Sequence, residues 1–361
     1  MKILIDIGHP AHVHYYKYLY HELKNKHNII ITTKNVPIIK ELLNHYDMPF
    51  INIGSKGSNL AKKYIKQVHF TIALVKIIRE YKIDMTIGVT PAIVHSAFLT
   101  QKKSILFNDD DQAVLSRVSP ITTPLASVLM SPDCLKYEKR YNAIYYPGYH
   151  ELAYLYPKQF NSNPGVLEKN GLSIDDKYYI LRFNAFKAHH DIKEGGMNLN
   201  QKRQLIKLLE QYGKVFITTE KEIDPEFERY RIPIKPYEMH NFLAFSQMLV
   251  SDSQTMSSEA AVLGIPSFRC NTFAGRLSIL EEEEKRYGLT YGYLPRQFDW
   301  MLEAIERVLK DTDAKAKWEI KRNRMLEDKI DVTAFWIWFI DNYPESVKEV
   351  KAKDFDFGRF K

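Results

Sequence analysis

Cysteine is scarce in this sequence, with two residues, Cys134 and Cys270, among 361. Two cysteines cannot build a disulfide framework, which excludes a small disulfide-stapled fold; one disulfide stays open, and two free thiols in a reducing compartment are the preferred interpretation. No apolar run approaches the roughly 20 residues that span a bilayer. The opening residues show no signal-peptide pattern, because the short apolar run meets Asp6 and His9 at once. These absences predict a cytoplasmic protein.

The chain also lacks any DNA- or RNA-binding motif, although its net charge is +7 and its pI about 9.0. Its lysines are spread along the chain rather than massed in one stripe, so we predict no nucleic-acid partner. A basic balance favours anionic partners such as phosphorylated substrates or an anionic membrane face, and solvated surface lysines are the alternative. With 361 residues, 45% of them hydrophobic and 26% charged, the chain suits two globular domains.

Short apolar runs alternate with helical stretches along the chain. In the first half we predict strands at 2–6, 28–33, 50–53, 84–89 and 104–108. After a turn-rich stretch at 147–165 the pattern restarts, with strands predicted at 178–182, 214–218, 248–251 and 265–269 and only helices beyond them. Such alternation is typical of βαβ units and parallel sheets. We predict an α/β fold of two doubly wound Rossmann-like domains facing a cleft, with helices at the C-terminus.

Ligands of such sheets bind where strands end, so the loops after the strands carry the candidate residues. The loop after the first strand reads GHPAHVH at 8–14, and its glycine, Gly8, allows a sharp turn before a helix N-terminus that favours anions. His9, His12 and His14 are candidate substrate ligands, and His12 is also a candidate base. No Cys or carboxylate cluster completes a metal site here, so we predict no metal. Surface histidines in a capped turn are the alternative.

Three consecutive acids, Asp109, Asp110 and Asp111, follow the strand predicted at 104–108. Three carboxylates at one strand end repel each other and are costly to bring together. Such a carboxylate can act as a general base, bind a sugar hydroxyl or hold a divalent ion, and Asp109 and Asp110 are the candidate catalytic residues. A helix N-cap with exposed neighbours is the alternative.

A cationic loop follows the strand predicted at 178–182 and contains Arg182, Lys187 and His189. Positive groups there suit a pyrophosphate, because they stabilise charge that develops on a leaving group without a bound metal. A basic surface loop is the alternative.

The segment 251–261, SDSQTMSSEAA, is the richest in candidate residues. Small hydroxyl side chains at a helix N-terminus leave backbone amides to face a phosphate, and a carboxylate one or two turns further in can accept both hydroxyls of a ribose. The candidate nucleotide ligands in and after this segment are Ser253, Gln254, Thr255, Glu259, Arg269 and Arg276. An ordinary N-capped helix is the alternative, but it does not account for the whole set.

These residues resemble a known signature. Asp252-Ser253, Glu259-Ala260 and the run LGIP at 263–266, followed by Arg269, are similar to the UDP-binding signature of UDP-N-acetylglucosamine 2-epimerases, which belong to the GT-B superfamily. That signature reads Asp-Ser-Gly-Gly, then Glu-Glu-Ala and Leu-Gly-x-Pro, whereas this chain carries Gln and Thr in place of the two glycines. The resemblance implies that Ser253 and its neighbours bind phosphate and that Glu259 binds ribose.

A nearer resemblance is to the DUF354 family. It rests on the run DIGHPAHVH at 6–14, the acidic cluster at 109–111 and the loop at 182–191, and it covers roughly the first 340 residues. Membership implies a GT-B fold and no settled activity. The turn-rich stretch at 147–165 marks the passage from an acceptor domain at 1–160 to a nucleotide-sugar domain at 161–330. The GT-B superfamily implies a C-terminal helix and tail at 331–361 that packs back on the first domain. Trp336 and Trp338 in that helix pack in the core in the favoured interpretation, and a membrane-touching patch is the alternative.

The acids of this chain favour glycosyl transfer over epimerisation. Hydrolysing epimerases use three acidic residues in the N-terminal domain, and Asp109 matches one of them. Val89 and Thr90 stand where another would follow, and 112–132 contains no Asp or Glu. Acid and base groups on the sugar ring are what epimerisation needs. An epimerase-like isomerase and a non-catalytic sugar-nucleotide binder stay open as alternatives.

We therefore predict a metal-independent glycosyltransferase of GT-B type that acts in the assembly of cell-surface polysaccharides or glycoconjugates. Its donor is a nucleotide sugar of the UDP class, bound as substrate, and no cofactor is expected. The acceptor is a sugar or a lipid-linked sugar, with peripheral contact at the inner membrane face. Arg182, Ser253, Thr255 and Glu259 would bind the donor, and Asp109 or Asp110 would act as the base, with His12 next.

Overall fold

A computed structural model describes residues 1–55, 60–108, 111, 119–135, 141–183, 195–219, 223–232 and 234–361. The chain divides into two units. The first unit comprises Met1–Gln159 together with Lys329–Lys361, and the second unit comprises Phe160–Asp328. The chain therefore completes the second unit before it returns to the first.

The first unit contains a seven-stranded sheet in the order β3-β2-β1-β4-β5-β6-β7. Its strands are β1 (Lys2–Ile7), β2 (Asn28–Thr33), β3 (Phe50–Asn52), β4 (Met85–Gly88), β5 (Lys103–Phe107), β6 (Val128–Pro132) and β7 (Ala143–Tyr146). Each described pair of neighbouring strands is parallel. The central strands are continuous apolar runs because helices cover both faces of the sheet. The strand order reverses between β1 and β4, which makes their carboxyl ends the switch point of this sheet.

Prolines fix where several helices of the first unit begin. The helices before the second unit are α1 (Pro10–Leu23), α2 (Pro37–His45), α3 (Leu60–Glu80), α4 (Pro91–Leu99), α5 (Ser119–Thr122) and α6 (Leu152–Leu155). In α1, α2 and α4 the first residue is proline, whose fixed φ suits a helix start and whose missing N–H is not needed there. The helix α3 and the helix α4 pack over one face of the sheet around a core that includes Leu74, Ile78 and Ile93.

The second unit contains a five-stranded sheet in the order β12-β11-β10-β8-β9, again with parallel pairs. Its strands are β8 (Tyr178–Arg182), β9 (Lys214–Thr218), β10 (Met248–Ser251), β11 (Ser267–Cys270) and β12 (Thr290–Tyr293). Its helices are α7 (Gly165–Lys169), α8 (Leu199–Leu209), α9 (Met239–Ala244), α10 (Gln254–Leu263), α11 (Ser278–Glu282), α12 (Phe298–Lys310) and α13 (Ala314–Asp328), with a π-helical turn at Glu283–Tyr287. The switch point lies between β8 and β10.

Three strands were absent from the sequence-based prediction. The expectation of helices alone after β11 is wrong, because β12 follows it, and β6 and β7 extend the first sheet. The strand β12 is only four residues long and has a glycine, Gly292, in its interior, which weakens any strand pattern. A Cβ at Gly292 would lie 2.7 Å from Nη2 of Arg269, so any other residue there would displace the Arg269 guanidinium.

The C-terminal helices α14 (Val332–Asp341) and α15 (Glu345–Val350) belong to the first unit. Trp336 is fully buried, with its ring centroid 4.4 Å from that of Phe107. Trp338 packs against the aromatic tail, where its ring centroid lies 5.5 Å from that of Phe360. Both tryptophans thus pack inside the unit, as the favoured of the two interpretations predicted, and not in the alternative membrane-touching patch. Among the described residues, no helix is long and apolar enough to cross a membrane.

Candidate functional site

The switch point of the second sheet brings two predicted segments together. Strand β8 ends at Arg182 and strand β10 ends at Ser251, and these two residues are in register. The backbone N–H of Asp252 donates to the carbonyl of Arg182 at 3.1 Å. Open α/β sheets bind ligands outside the carboxyl ends of their strands at such a point. The fold thus places Arg182 beside the start of the segment that resembles the UDP signature.

The helix α10 begins at this point with a side-chain cap. Ser253 has the extended backbone of an N-cap residue, and its Oγ accepts from the backbone N–H of Met256 at 3.4 Å. The next two residues, Gln254 and Thr255, are half-buried. The first N–H groups of a helix have no partner within it, and the helix dipole adds positive potential there. The N–H groups at this end of α10 can therefore donate to an anion such as a phosphate.

Glu259 lies further along α10 and is held by a histidine. Its Oε1 is 2.9 Å from Nε2 of His240 in α9, and both side chains are almost fully buried. The His240 ring also contacts the ring of Phe160, with centroids 6.5 Å apart. The contact with His240 fixes the orientation of the Glu259 carboxylate, whose oxygens have further lone pairs that can accept hydroxyl groups. Sequence reasoning found Glu259 but not His240, which comes from another helix.

A buried lysine, Lys202, was also missed. It lies in the first turns of α8, is 4% exposed, and holds its ammonium 4.8 Å from the centroid of the Phe183 ring. Burial lowers the pKa of Lys202, while attraction to Asp252 and Asp224 acts in the opposite direction. A Cβ at Gly196 would come within 2.9 Å of Asp252, so the chain entering α8 runs close to the switch point. Lys202 is therefore a cation next to the α10 N-terminus.

Arg269 is the most strongly desolvated cation of the second unit's candidate residues. It is 1% exposed, and its three guanidinium nitrogens have no hydrogen-bond partner among the described residues. Burial lowers its pKa, and the nearby carboxylates of Glu284 and Glu283 partly counter that effect. Unsatisfied buried donors are rare in folded proteins and call for a functional or structural reason. The predicted ligand role of Arg269 is compatible with these donors.

The two carboxylates near Arg269 are fixed by the neighbouring elements. Oε2 of Glu284 accepts from the backbone N–H of Gly292 at 3.0 Å, and Oε1 of Glu283 accepts from Oγ of Ser258 at 2.5 Å. Burial raises the pKa of Glu284, whereas the Gly292 hydrogen bond and Arg269 lower it. Both glutamates lie on the π-helical turn, a feature often found at functional sites.

The loop after β11 is tied to the switch point. Nδ2 of Asn271 donates to the carbonyl of Asp252 at 3.0 Å, a link that the sequence did not reveal. Arg276 follows on an exposed turn, with its guanidinium carbon 5.5 Å from the centroid of the Phe273 ring. This arrangement puts a solvent-accessible arginine on a loop anchored beside the α10 N-terminus.

The candidate loop of the first unit sits at its own switch point. His9 is the N-cap of α1 and its Nδ1 accepts from the backbone N–H of Ala11 at 3.3 Å, while Nδ1 of His12 accepts from that of Gly8 at 3.3 Å. His9 is exposed and His12 is half-buried. A Cβ at Gly8 would lie 2.9 Å from Cγ2 of Thr90, so only glycine fits there.

His14 departs from its expected place beside the other histidines. It is buried, and its ring stacks on Tyr154 with centroids 5.4 Å apart. Two residues along a helix is about half a turn, so His12 and His14 point to different sides of α1. Among the described residues, no three His, Cys, Asp or Glu side chains group in a way that could hold a metal ion.

A buried acid, Asp6, lies beneath the same loop and was not among the predicted site residues. Its Oδ1 accepts from Thr32 Oγ1 at 3.0 Å and its Oδ2 accepts from Thr90 Oγ1 at 2.6 Å. Burial raises the pKa of Asp6, and the charge of Lys34 and the two threonine hydroxyls lower it by less. Asp6 thus ties β2 and the start of α4 to the strand that leads into Gly8.

The raised pKa of Asp6 makes stability depend on pH in a definite direction. A carboxyl whose folded-state pKa is raised contributes stability below its unfolded pKa and loses it as pH rises through the folded value. We expect the unfolding free energy of the wild-type protein, relative to Asp6→Asn, to increase as pH falls from neutrality towards the ordinary aspartate range. Urea denaturation at several pH values measures it, with the exposed Asp175→Asn as control. A difference that stays flat or shrinks on acidification would contradict this.

Comparison with known proteins places the chain in a family. The family model described as Protein of unknown function (DUF354) matches residues 1–317. The chain belongs to the DUF354 family. A search of the curated proteins finds no match to it.

Solved structures resemble this DUF354 protein along nearly its whole length. The S. aureus MnaA–UDP co-structure is 15% identical with a TM-score of 0.69, and 96% of this chain and 98% of that chain are covered. A UDP-GlcNAc 2-epimerase from Neisseria meningitidis bound to UDP-GlcNAc is 14% identical with a TM-score of 0.63, and coverage is 95% and 100%. The spinosyn forosaminyltransferase SpnP is 12% identical with a TM-score of 0.64, and coverage is 96% and 99%. At such identities the likeness shows the fold, and the predicted GT-B-like fold is confirmed.

In this DUF354 protein the fold groups part of the predicted set. Arg182 and the segment 252–255 meet at the second switch point, and Glu259 lies deeper in the same helix. The predicted residues Asp109, Asp110, Lys187 and His189 lie outside the described residues.

Proposed function

We propose that this protein transfers a glycosyl group from a nucleoside-diphosphate sugar of the UDP class to a sugar or lipid-linked acceptor. The observation that carries the proposal is the capped N-terminus of α10 at the switch point of the second sheet, flanked by Arg182 and Lys202. Backbone amides and cations converging on one point form a site for a diphosphate.

Each described group of the second unit has a role in donor use. The α10 amides bind a phosphate oxygen, and Glu259, held by His240, accepts the ribose hydroxyls. Lys202 and Arg182 stabilise the negative charge that grows on the diphosphate as the glycosyl bond breaks. Fixed positive groups that meet charge only as it develops lower the barrier and require no resident cofactor.

The first unit supplies the acceptor side in this proposal. His9 is exposed and His12 is half-buried at the first switch point, so solvent reaches the loop that carries both. His12, Asp109 or Asp110 is the base that removes the proton of the attacking hydroxyl. Assembly of cell-surface polysaccharides or glycoconjugates is the setting that these substrates suit.

Epimerisation of a UDP-sugar is the second candidate. Two of the three solved structures described above are UDP-N-acetylglucosamine 2-epimerases or UDP-bound relatives, and the S. aureus one has the higher TM-score, 0.69 against 0.64 for the forosaminyltransferase. Against it, the described carboxylate beneath the first switch point, Asp6, is fully buried and is occupied by two threonine hydroxyls.

Proton NMR in deuterated buffer separates these reactions. UDP-N-acetylglucosamine, UDP-glucose and UDP-galactose are incubated with the full chain, with and without free-sugar and polyprenyl-linked acceptors. We expect UDP release that depends on an acceptor and no deuterium at C2 of the donor. Deuterium at C2 would show that the protein is an epimerase and not a transferase. Binding of a sugar nucleotide without turnover on any acceptor would show that it is a non-catalytic binder.

A pair of lysines on one helix provides the variant test. We expect Lys202→Met to lower turnover about tenfold, because the diphosphate loses the charged ammonium that we propose stabilises it. Lys207→Met, on the exposed side of α8, is the matched control and should match the wild type. Equal turnover rates for the two variants would show that Lys202 is not part of the donor site.

A further inference from the structure

An exposed apolar patch lies at one end of the helix layer α3–α4 of the first unit. Phe98, Leu99 and Ile121 are 57%, 61% and 65% exposed. Thr122, the residue after Ile121, contacts α4, because its Oγ1 lies 3.2 Å from Nε2 of His95. Phe98 and Leu99 follow His95 by three and four residues and so lie on the same side of α4. We call Phe98, Leu99 and Ile121 the α4 patch. Large apolar side chains exposed together mark an interaction surface, whereas single ones do not.

Cations line the groove next to the α4 patch. The groove runs between the ends of α3 and α4, and Leu99 forms part of its wall together with Arg79, Lys82 and Lys102. Among the described residues that line it, none is an acid. The next residue along the chain, Lys103, is also exposed. The groove therefore joins the apolar side chain of Leu99 to the cations Arg79, Lys82 and Lys102.

The helix α3 repeats this combination on its exposed side. Val68 and Ile72 are 59% and 51% exposed, and Lys76 and Arg79 are exposed one and two turns further on. The spacing of these four residues puts them on one side of the helix. An apolar stripe that leads into cations is the pattern of a helix that lies on a membrane surface.

We propose that the first unit docks on an anionic lipid bilayer through the α4 patch. Phe98, Leu99 and Ile121 enter the boundary between headgroups and acyl chains, and the cations of the groove meet the lipid headgroups. Each of the two contributions is weak alone, and reversible membrane binding needs both. The surface contains no part of the proposed sugar-nucleotide site, so this proposal stands whether or not glycosyl transfer does.

A second copy of the chain is the competing occupant, and charge disfavours it. A twofold contact places the same surface on both partners. It would bring Arg79, Lys82 and Lys102 of one copy towards the same cations of the other, where like charges repel. A bilayer that carries negative headgroups has the complementary charge.

Vesicle flotation with the full chain tests the proposal. Vesicles are made of phosphatidylcholine alone or with about 30% phosphatidylglycerol, so that only the second kind carries the surface charge that attracts lysine and arginine. We expect binding to the anionic vesicles that is at least about tenfold stronger and that weakens above about 0.1 M salt, where screening shortens the range of the charges.

Two sets of substitutions separate the apolar and the charged contributions. We expect Phe98→Ser with Leu99→Ser to lower partitioning about tenfold, because two exposed apolar side chains no longer enter the bilayer. We expect Arg79→Glu with Lys82→Glu to abolish the preference for anionic vesicles. Trp300→Ser with Ile320→Ser is the matched control, since these second-unit residues are 62% and 69% exposed, and it should bind like the wild type.

Three results would overturn the proposal. The first is that the wild type binds no vesicles. The second is that the wild type and the Phe98→Ser, Leu99→Ser variant bind vesicles equally. The third is that the wild type forms a dimer in sedimentation equilibrium, the variant does not, and neither protein binds vesicles. The last result would make the α4 patch an interface between copies. Thermal unfolding of each variant checks that these exposed substitutions leave the fold intact.

Discussion

Glu259→Gln should weaken UDP binding about a hundredfold, because a neutral amide replaces the carboxylate that we propose accepts two ribose hydroxyls, and each hydrogen bond to a charged group contributes about 1.5 kcal/mol or more. The amide keeps the size of the side chain beside His240, whose Nε2 lies 2.9 Å from Oε1 in the wild type. Isothermal titration calorimetry of the full chain with UDP measures the change.

A thermodynamic cycle attributes that loss to the ribose. Removing the hydroxyls from the ligand, as in 2′,3′-dideoxy-UDP, should lower the binding free energy of the wild type as much as Glu259→Gln does. The same change of ligand should lower the binding free energy of the variant little further. Glu226→Gln, on a surface carboxylate paired with Arg203 at 2.7 Å, is the matched control and should bind UDP normally. If the two effects simply added, the ribose assignment of Glu259 would be wrong.

Arg269→Met should raise the unfolding free energy by about 1 to 2 kcal/mol near neutral pH, because an apolar side chain of similar length replaces a desolvated charge. The guanidinium is 1% exposed and has no hydrogen-bond partner among the described residues, and attraction to Glu284 and Glu283 only partly counters its burial. The relief of removing a desolvated arginine therefore outweighs the attraction that the two carboxylates lose.

The pH dependence of this effect has a fixed sign. Burial already raises the pKa of Glu284 above 4.5 and Arg269 lowers it, so the pKa rises further in Arg269→Met. A raised carboxyl pKa removes stability as pH rises through the folded value, so the gain in stability of the variant should be smallest near pH 7 and should grow towards and below pH 4.5.

Urea denaturation at several pH values tests the Arg269 prediction. Arg203→Met is the control, because it breaks only an exposed ion pair and should leave the unfolding free energy nearly unchanged at every pH. A variant that is less stable than the wild type at every pH would contradict this prediction, because it would show that the carboxylates depend on Arg269 more than its burial costs.

Much of the fold was readable from the sequence because the central strands are buried on both faces. Such strands appear as short, continuous apolar runs, and those at Asn28–Thr33, Tyr178–Arg182 and Met248–Ser251 were predicted with the bounds that the structure has. Strands β6, β7 and β12 were missed because they are short and contain or adjoin proline, tyrosine and glycine in turn-like combinations. These three strands form because they pair with neighbouring strands, and the pattern of their own residues does not indicate a strand.

The candidate site was only half visible for a related reason. Residues that follow one another along α10, from Ser253 to Glu259, form a pattern that a sequence can show. His240, Lys202 and Asn271 come from three other segments, and tertiary packing alone brings them to α10. His14 is a case where the sequence grouped residues that the fold separates. It is close in sequence to His9 and His12, but in α1 its side chain points into the core.

The central claim is that the N-terminus of α10 binds a diphosphate, and an NMR titration of the full chain tests it most directly. The backbone amides of Gln254 and Thr255 are followed as UDP or uridine is added. We expect UDP to shift both amides strongly at concentrations where uridine does not, because the phosphates meet the helix end. UDP that fails to bind, or that binds without moving either amide, would contradict the account.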